Sequence, residues 1–216
     1  MSETQHRFPA PRRGAWPAAK RALDAIGAAV LLVVLSPLLL AAAVAVRLDS
    51  RGPALFRQER IGLGGETFMV AKFRSMRVDT SDEAHRRYIE QLAAGEVEGE
   101  GLKKLTADPR VTRVGAFLRS TSIDELPQLL NVVKGEMSLI GPRPALAYEL
   151  EHYRPEHFER FAVRPGLTGL WQVSGRAQLG FLEMLDLDAE YARTSGPLTD
   201  LRIAVLTPRA LVGRTA

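Results

Sequence analysis

The chain has 216 residues and 23.7 kDa, with 29 lysines and arginines against 25 aspartates and glutamates, a net charge of +4. That length suits one domain with a modest core. A composition of 25% charged and 46% hydrophobic residues excludes a disordered or fibrous chain, and the lack of cysteine excludes disulfides, thiol catalysis and thiolate metal sites.

Residues 1–24 read as a basic segment. Residues 1–60 carry nine basic and four acidic groups, residues 61–216 twenty and twenty-one, so the basic excess is N-terminal. A nucleic-acid footprint would spread over the folded domain, so no nucleic-acid partner is expected. From Ala25 to Val46 run 22 residues without a charge, AIGAAVLLVVLSPLLLAAAVAV, with Ser36 the only polar side chain. A run this long and apolar on every side reads as membrane-inserted rather than as a core helix of a small domain. Arg47 and Asp49 follow without the cleavage pattern of a secretory signal.

At about 1.5 Å per residue the run reaches about 33 Å, just enough to span. Ser36-Pro37 interrupts it at the middle: Pro37 lacks a donor and its ring clashes with the carbonyl of Val33, so a bend is expected there. Arg12, Arg13, Lys20 and Arg21 precede the run and Arg47, Arg51, Arg57 and Arg60 follow it. The positive-inside tendency would hold both flanks in the cytoplasm. A re-entrant helix–break–helix meets both observations and is the favoured reading; a kinked span is the alternative.

Residues 47–216 read as a cytosolic domain. Strands are expected at 54–62 and 66–76, joined by a turn at Gly64-Gly65. A helix follows at 82–94, then a polar, acidic loop, AGEVEGEG, at 94–101. Short helices are expected at 112–119, 123–134, 145–160 and 181–193, interrupted by the turn-rich VRPGLTGLWQVSGR. In the tail 198–212, Leu201, Val205 and Val212 share one side and Arg202 and Arg209 another, despite Pro208. That pattern suits either a membrane surface or a terminal helix on the core. The expected class is an α-dominated α+β fold: a membrane-embedded helix–break–helix, a β-hairpin and short, partly interfacial helices.

Most chemical motifs are missing. There is no phosphate loop, nucleophile elbow or His-Glu-x-x-His, and the four histidines have no ligand spacing. Asp186-Leu187-Asp188 has the Asp-x-Asp form that holds a metal-nucleotide in many glycosyltransferases, but its surroundings are helical rather than strand-end. The dense region is TRVGAFLRSTSIDELPQLLNVVKGEMSLIGPRP at 112–144. Ser122 to Glu125 has capping-box form and Pro127 suits a first turn, so a helix should begin there, with Asp124 and Glu125 at the least complementing its dipole. Adjacent carboxylates can also hold magnesium together with substrate phosphates. Arg113, Arg119 and Arg143 nearby could bind phosphate oxygens. Together these suit attack on a phosphoanhydride at a membrane.

At these residues the chain resembles the bacterial sugar transferases, the monotopic phosphoglycosyl transferases that load a sugar phosphate onto polyprenyl phosphate. The resemblance runs from Lys20 to about Leu206, through KRALD, Ser36-Pro37, LFRQERIG, KFRSM at 72–76, DPRVTRVGAFLR, STSIDELPQLLNVVKGEMSLIGPRP and VRPGLTGLWQVSGR. Glu136 stands where the family commonly has Asp, and the multi-span extension of longer members is absent, implying a minimal catalytic unit. The resemblance implies that Asp124 is a nucleophile attacking the β-phosphate of a UDP-sugar and expelling UMP, after which undecaprenyl or another polyprenyl phosphate resolves the intermediate. It implies that Glu125 is the second carboxylate, in metal binding or proton handling, with Mg2+ as cofactor. Arg119 and Arg143 fall at phosphate- and nucleotide-binding positions. Lys72, Arg74 and Glu136 are candidates for substrate contact or structural ion pairs, and Trp171 and Gln172 are packing residues. The implied place is the bacterial cytoplasmic membrane, catalytic side inward, in exopolysaccharide, O-antigen or glycoconjugate synthesis. Two other readings stay open: a polyprenyl-phosphate glycosyltransferase releasing UDP, and a non-catalytic membrane adaptor bound to anionic lipid.

Overall fold

The structure, a computed structural model, describes residues 8–77, 90–91, 110–175 and 179–212. The expected helix at 82–94 lies outside the described residues except at Glu90 and Gln91, and the loop at 94–101 lies outside them entirely.

Two helices open the fold, α1 (Ala15–Val34) and α2 (Ser36–Asp49), bent 64° from each other with Leu35 between them. The helix therefore begins ten residues before the apolar run, inside the basic segment. The break falls one residue earlier than expected, and Pro37 sits in the first turn of α2, where a missing donor is harmless. The Ser36 hydroxyl donates to the Val33 carbonyl at 2.7 Å, the acceptor that Pro37 leaves vacant. No single helix among the described residues is long and apolar enough to cross a membrane; the bent pair passes that test together. Leu23, Ile26, Val30, Val33, Leu40 and Val44 along it are exposed.

The hairpin follows as expected: β1 (Leu55–Ile61) pairs antiparallel with β2 (Thr67–Phe73), Leu55 opposite Phe73. Gly64 and Gly65 both take positive φ in the connecting turn, at 63° and 85°, a conformation that glycine adopts without Cβ strain. Next come α3 (Arg113–Thr121), a 3-10 segment at Ile123–Gln128, and α4 (Leu129–Lys134). The expected helix at 145–160 is instead two 3-10 turns, Ala147–His152 and Pro155–Ala162, because Pro155 admits no continuous helix through the stretch. A pairing with no periodic signal joins β3 (Ser138–Ile140) to β4 (Gly166–Thr168) in parallel. Then follow α5 (Leu170–Val173), α6 (Phe181–Thr194) and α7 (Pro197–Val212). The α+β class with a hairpin and short helices is borne out.

The bent pair is fastened to the domain at both ends. Ala28 of α1 packs with Val70, Leu129, Val132 and Met137, and Ala42 and Val46 of α2 pack with Phe73 and Leu118. Polar residues at the base of α1 complete the join. Arg21 donates to the Val132 and Val133 carbonyls at the end of α4, at 3.1 and 2.8 Å. Asp24 accepts from the Ser138 hydroxyl at 2.6 Å, and Lys20 pairs with Asp200 of α7 at 2.8 Å. A third core, built from Ile61, Tyr153, Phe158, Phe161, Phe181 and Leu185, sits under the 3-10 turns and α6.

Candidate active site

Asp124 and Glu125 occupy the 3-10 segment that follows α3. The expected capping box does not form. Ser122 takes the left-handed conformation with φ 59°, closing α3, and its hydroxyl is buried without a hydrogen-bond partner among the described residues. It is the one described non-glycine residue with positive φ, a strained choice that costs on the order of 1 kcal/mol. The physical reason is spatial: the chain reverses after α3 so that the 3-10 segment lies along β2 and Glu125 meets Lys72. α3 itself lies against the end of the hairpin, where a Cβ on Gly115 would strike the backbone of Ser75.

Glu125, instead of reaching back to the Ser122 amide, points across to β2. Its Oε1 lies 3.4 Å from Lys72 Nζ, with both side chains about 30% exposed (28% for Lys72, 31% for Glu125). Burial lowers the Lys72 pKa from its ordinary value, with Arg60 and Arg143 acting in the same direction against Glu125 and Asp124. Of the expected site residues, Lys72 and Glu125 are brought into contact, with Asp124 next to Glu125 in the chain and Arg143 near enough to act on Lys72. Arg119 stands in the last turn of α3, half-buried, four residues before Ile123.

Two other candidates serve the scaffold. Arg74 is buried and directs its guanidinium at the end of α2, donating to the Ser50 carbonyl at 2.8 Å and to Arg51, with Val46 and Gly52 at 3.4 and 3.5 Å. Those carbonyls lie in the last turn of α2 and just past its end, where a cation complements the helix dipole. Glu136 accepts from Asn131 Nδ2 at 2.6 Å, and Asn131 in turn bonds the β2 backbone at Met69 and Ala71. Trp171 and Gln172 are buried, as packing residues should be, and Gln172 donates to the Leu167 carbonyl.

Arg60 and Glu149 were not singled out as site residues from the sequence. Burial, with Arg143 beside it, pushes Arg60 down to about 10; its guanidinium bonds the Pro144 carbonyl and Gln58. Burial opposes ionisation of Glu149, but Arg143, Arg60 and the Leu146 amide outweigh it and hold its pKa below the usual range. The available signal for Arg60 was its place inside LFRQERIG. Glu149 had no local signal, because it reaches Arg143 at 3.4 Å only through the 3-10 turn.

The Asp-x-Asp pair on α6 is occupied by the scaffold. Asp188 is buried against Arg160 at 2.7 Å, and Arg160 also bonds the Arg143 carbonyl and the Tyr153 hydroxyl. Asp186 accepts from His157 at 3.0 Å. The other ring nitrogen of His157 accepts from the Arg154 amide, so the proton lies on Nε2. No cluster of three or more acidic or histidine side chains fit for a metal occurs among the described residues.

The family model described as bacterial sugar transferase matches residues 15–214. A UDP-glucose:undecaprenyl-phosphate glucose-1-phosphate transferase of Caulobacter vibrioides is 44% identical, the match covering 89% of this chain and 69% of that one. The exopolysaccharide production protein ExoY of Rhizobium meliloti is 40% identical over 88% of this chain and 83% of its own. An undecaprenyl-phosphate galactose phosphotransferase of Salmonella typhimurium is 39% identical over 90% of this chain but 40% of its own. The chain thus spans about two fifths of several relatives' length and most of others'.

Proposed function

The chain belongs to the bacterial sugar transferase family, and from that premise we propose that it transfers a sugar 1-phosphate from a UDP-sugar to a polyprenyl phosphate, releasing UMP through a covalent Asp124 intermediate. Relatives named as undecaprenyl-phosphate glucose-1-phosphate or galactose transferases support the overall transfer. The observation that carries the residue assignment is the meeting of the Asp124-Glu125 segment with Lys72 and the Arg60–Arg143 pair.

In the first half-reaction an Asp124 oxygen attacks the β-phosphorus of the UDP-sugar. The bond from that phosphorus to the bridging oxygen breaks, and UMP leaves with both electrons. In the second, a polyprenyl phosphate oxygen attacks the same phosphorus, restoring the carboxylate and giving a polyprenyl diphosphate sugar. Two steps replace one transfer between two anions. Lys72 and Arg143 offset the phosphate charge, and the partial burial of Lys72 strengthens that effect. Lys72 also fixes Glu125 in place.

Two adjacent hard carboxylates fit magnesium, which takes one or two protein carboxylates and completes its shell with water and substrate phosphate. Asp124 and Glu125 would hold it, and its chemistry would be charge neutralisation on the diphosphate. The alternative without phosphate transfer predicts UDP release, so nucleotide analysis is the test. With UDP-glucose or UDP-galactose and undecaprenyl phosphate, the product should be UMP. Mass spectrometry with donor alone should find a sugar-phosphate adduct on the Asp124 peptide. UDP as the sole nucleotide product would overturn the reading.

The same proposal places the protein at the inner face of the cytoplasmic membrane with the bent pair re-entrant. Its apolar parts, Ala25–Val34 and Ser36–Val46, are about 15 and 17 Å long, each too short for a core of about 30 Å. Single cysteines at Ala10 and Ser50 should both be protected from an impermeant reagent in intact cells. Labelling of one alone would mean a true span.

A further inference from the structure

An apolar recess of about 430 Å3 lies between α2 and α3. Leu38, Ala41 and Ala45 line it from α2 and Phe117 and Leu118 from α3, with Arg113 at the start of α3 and Ile123 at the start of the 3-10 segment. The α2 residues are spaced at one helical face, and the alanines, by their small size, leave the space open. Ile123 is covalently followed by Asp124, so the recess ends beside the carboxylates.

Resting on the function proposed above, we infer that this recess holds the isoprenoid chain of the acceptor next to its phosphate, delivering that phosphate to Asp124. The wall supplied by α2 belongs to the apolar run, whose outward residues Leu40 and Val44 are exposed, so a tail can enter from the lipid phase without crossing water. The volume falls within the range of small-ligand pockets, about 300–1,000 Å3. A UDP-sugar is polar throughout and gains nothing from such a lining, whereas the acceptor is apolar up to its phosphate. At the Ile123 end, Lys72 meets Glu125 beside Asp124, so an anionic head held there lies at the carboxylate segment; Arg113 is the cation at the other end of α3.

A polyprenyl phosphate carrying a photoreactive group on an isoprene near its phosphate tests this directly in the wild-type protein. With no donor sugar present, crosslinks are expected on the facing residues between Leu38 and Ala45 and between Phe117 and Ile123. Unlabelled undecaprenyl phosphate should compete, and phosphatidylglycerol should not. Crosslinks confined to α7, or equal competition by phosphatidylglycerol, would overturn the inference. Kinetically, Ala45→Trp should raise the KM for undecaprenyl phosphate at least tenfold, while Leu40→Trp on the outward face keeps the wild-type value. A folded Ala45→Trp protein with unchanged KM would also overturn it. Failure of the function itself reads differently: wild type would form no adduct with UDP-sugar, and the crosslinking result would stand apart from it.

Discussion

Two clusters of charge meet at Arg143, and they are built to opposite ends. Around Arg160 the guanidinium is closed on the protein: it bonds Asp188, Tyr153 and the Arg143 carbonyl, and both Arg160 and Asp188 are buried. Around Lys72 the groups are left partly open. Lys72 has Glu125 at 3.4 Å, and the Arg143 side chain, about a third exposed, has Glu149 at the same distance. The first cluster is a brace under the 3-10 turns. The second leaves its donors partly exposed, as the proposed diphosphate site requires. Proximity in the fold does not make a charged residue functional; the decisive property is whether the protein itself already satisfies it.

The largest expected effect is in the open cluster. Asp124→Asn should lower turnover by a factor of about 1,000 or more and abolish the adduct, since an amide cannot form an acyl phosphate. Its melting temperature should stay close to that of wild type. Normal turnover would remove Asp124 from the chemistry.

Paired deletions should separate the two clusters. Arg160→Met leaves Asp188 buried and uncompensated and should destabilise by about 3–5 kcal/mol. Lys72→Met breaks a partly exposed pair, so stability should change by less than about 1 kcal/mol. Its kcat/KM should nevertheless fall about 10- to 100-fold if the ammonium offsets phosphate charge. Equal stability losses in denaturant titrations would show that the two clusters bear the same structural load.

The brace should also show in the pH dependence of stability. Burial pushes Asp188 up to about 6, although Arg160 opposes the shift. Between its ordinary value of 3.8 and about 6 the folded protein holds a proton that the unfolded chain has released, so this group's contribution to stability falls as pH rises through that window. Asp188→Asn should remove that component of the slope, seen by comparing melting temperatures of the two proteins from pH 4 to 7. Identical slopes would show that the pair stays ionised throughout.

The smallest effect should come from Ser122→Gly. Glycine relieves the left-handed strain and removes the unpartnered hydroxyl, at the cost of a floppier unfolded chain, for a net gain of about 0.5–1 kcal/mol. If the strained turn orients Asp124, kcat should fall while stability rises. A rise in both would make Ser122 a purely structural residue.

What could be read from residues alone followed from chain-local physics. The apolar run, its break near Ser36-Pro37, the Gly64-Gly65 hairpin and α6 each depend on side chains a few positions apart, where periodicity and turn chemistry act directly. The ordered block around Asp124 was legible for the same reason. Only the tertiary structure turned Ser122 into a left-handed reversal rather than a cap, because a capping box and an abrupt turn toward β2 compete for the same backbone. It alone separated Lys72, which faces Glu125, from Arg74 two residues on, which bonds the carbonyls just past the end of α2. Residues two apart on a strand share a face, so alternation alone would have kept them together; β2 ends at Phe73, and the partners of Lys72 and Arg74 come from distant segments. It also decided that the Asp186 and Asp188 carboxylates are held by His157 and Arg160. Sequence sets which groups are available, while partners 28 and 29 residues away decide whether those groups remain so.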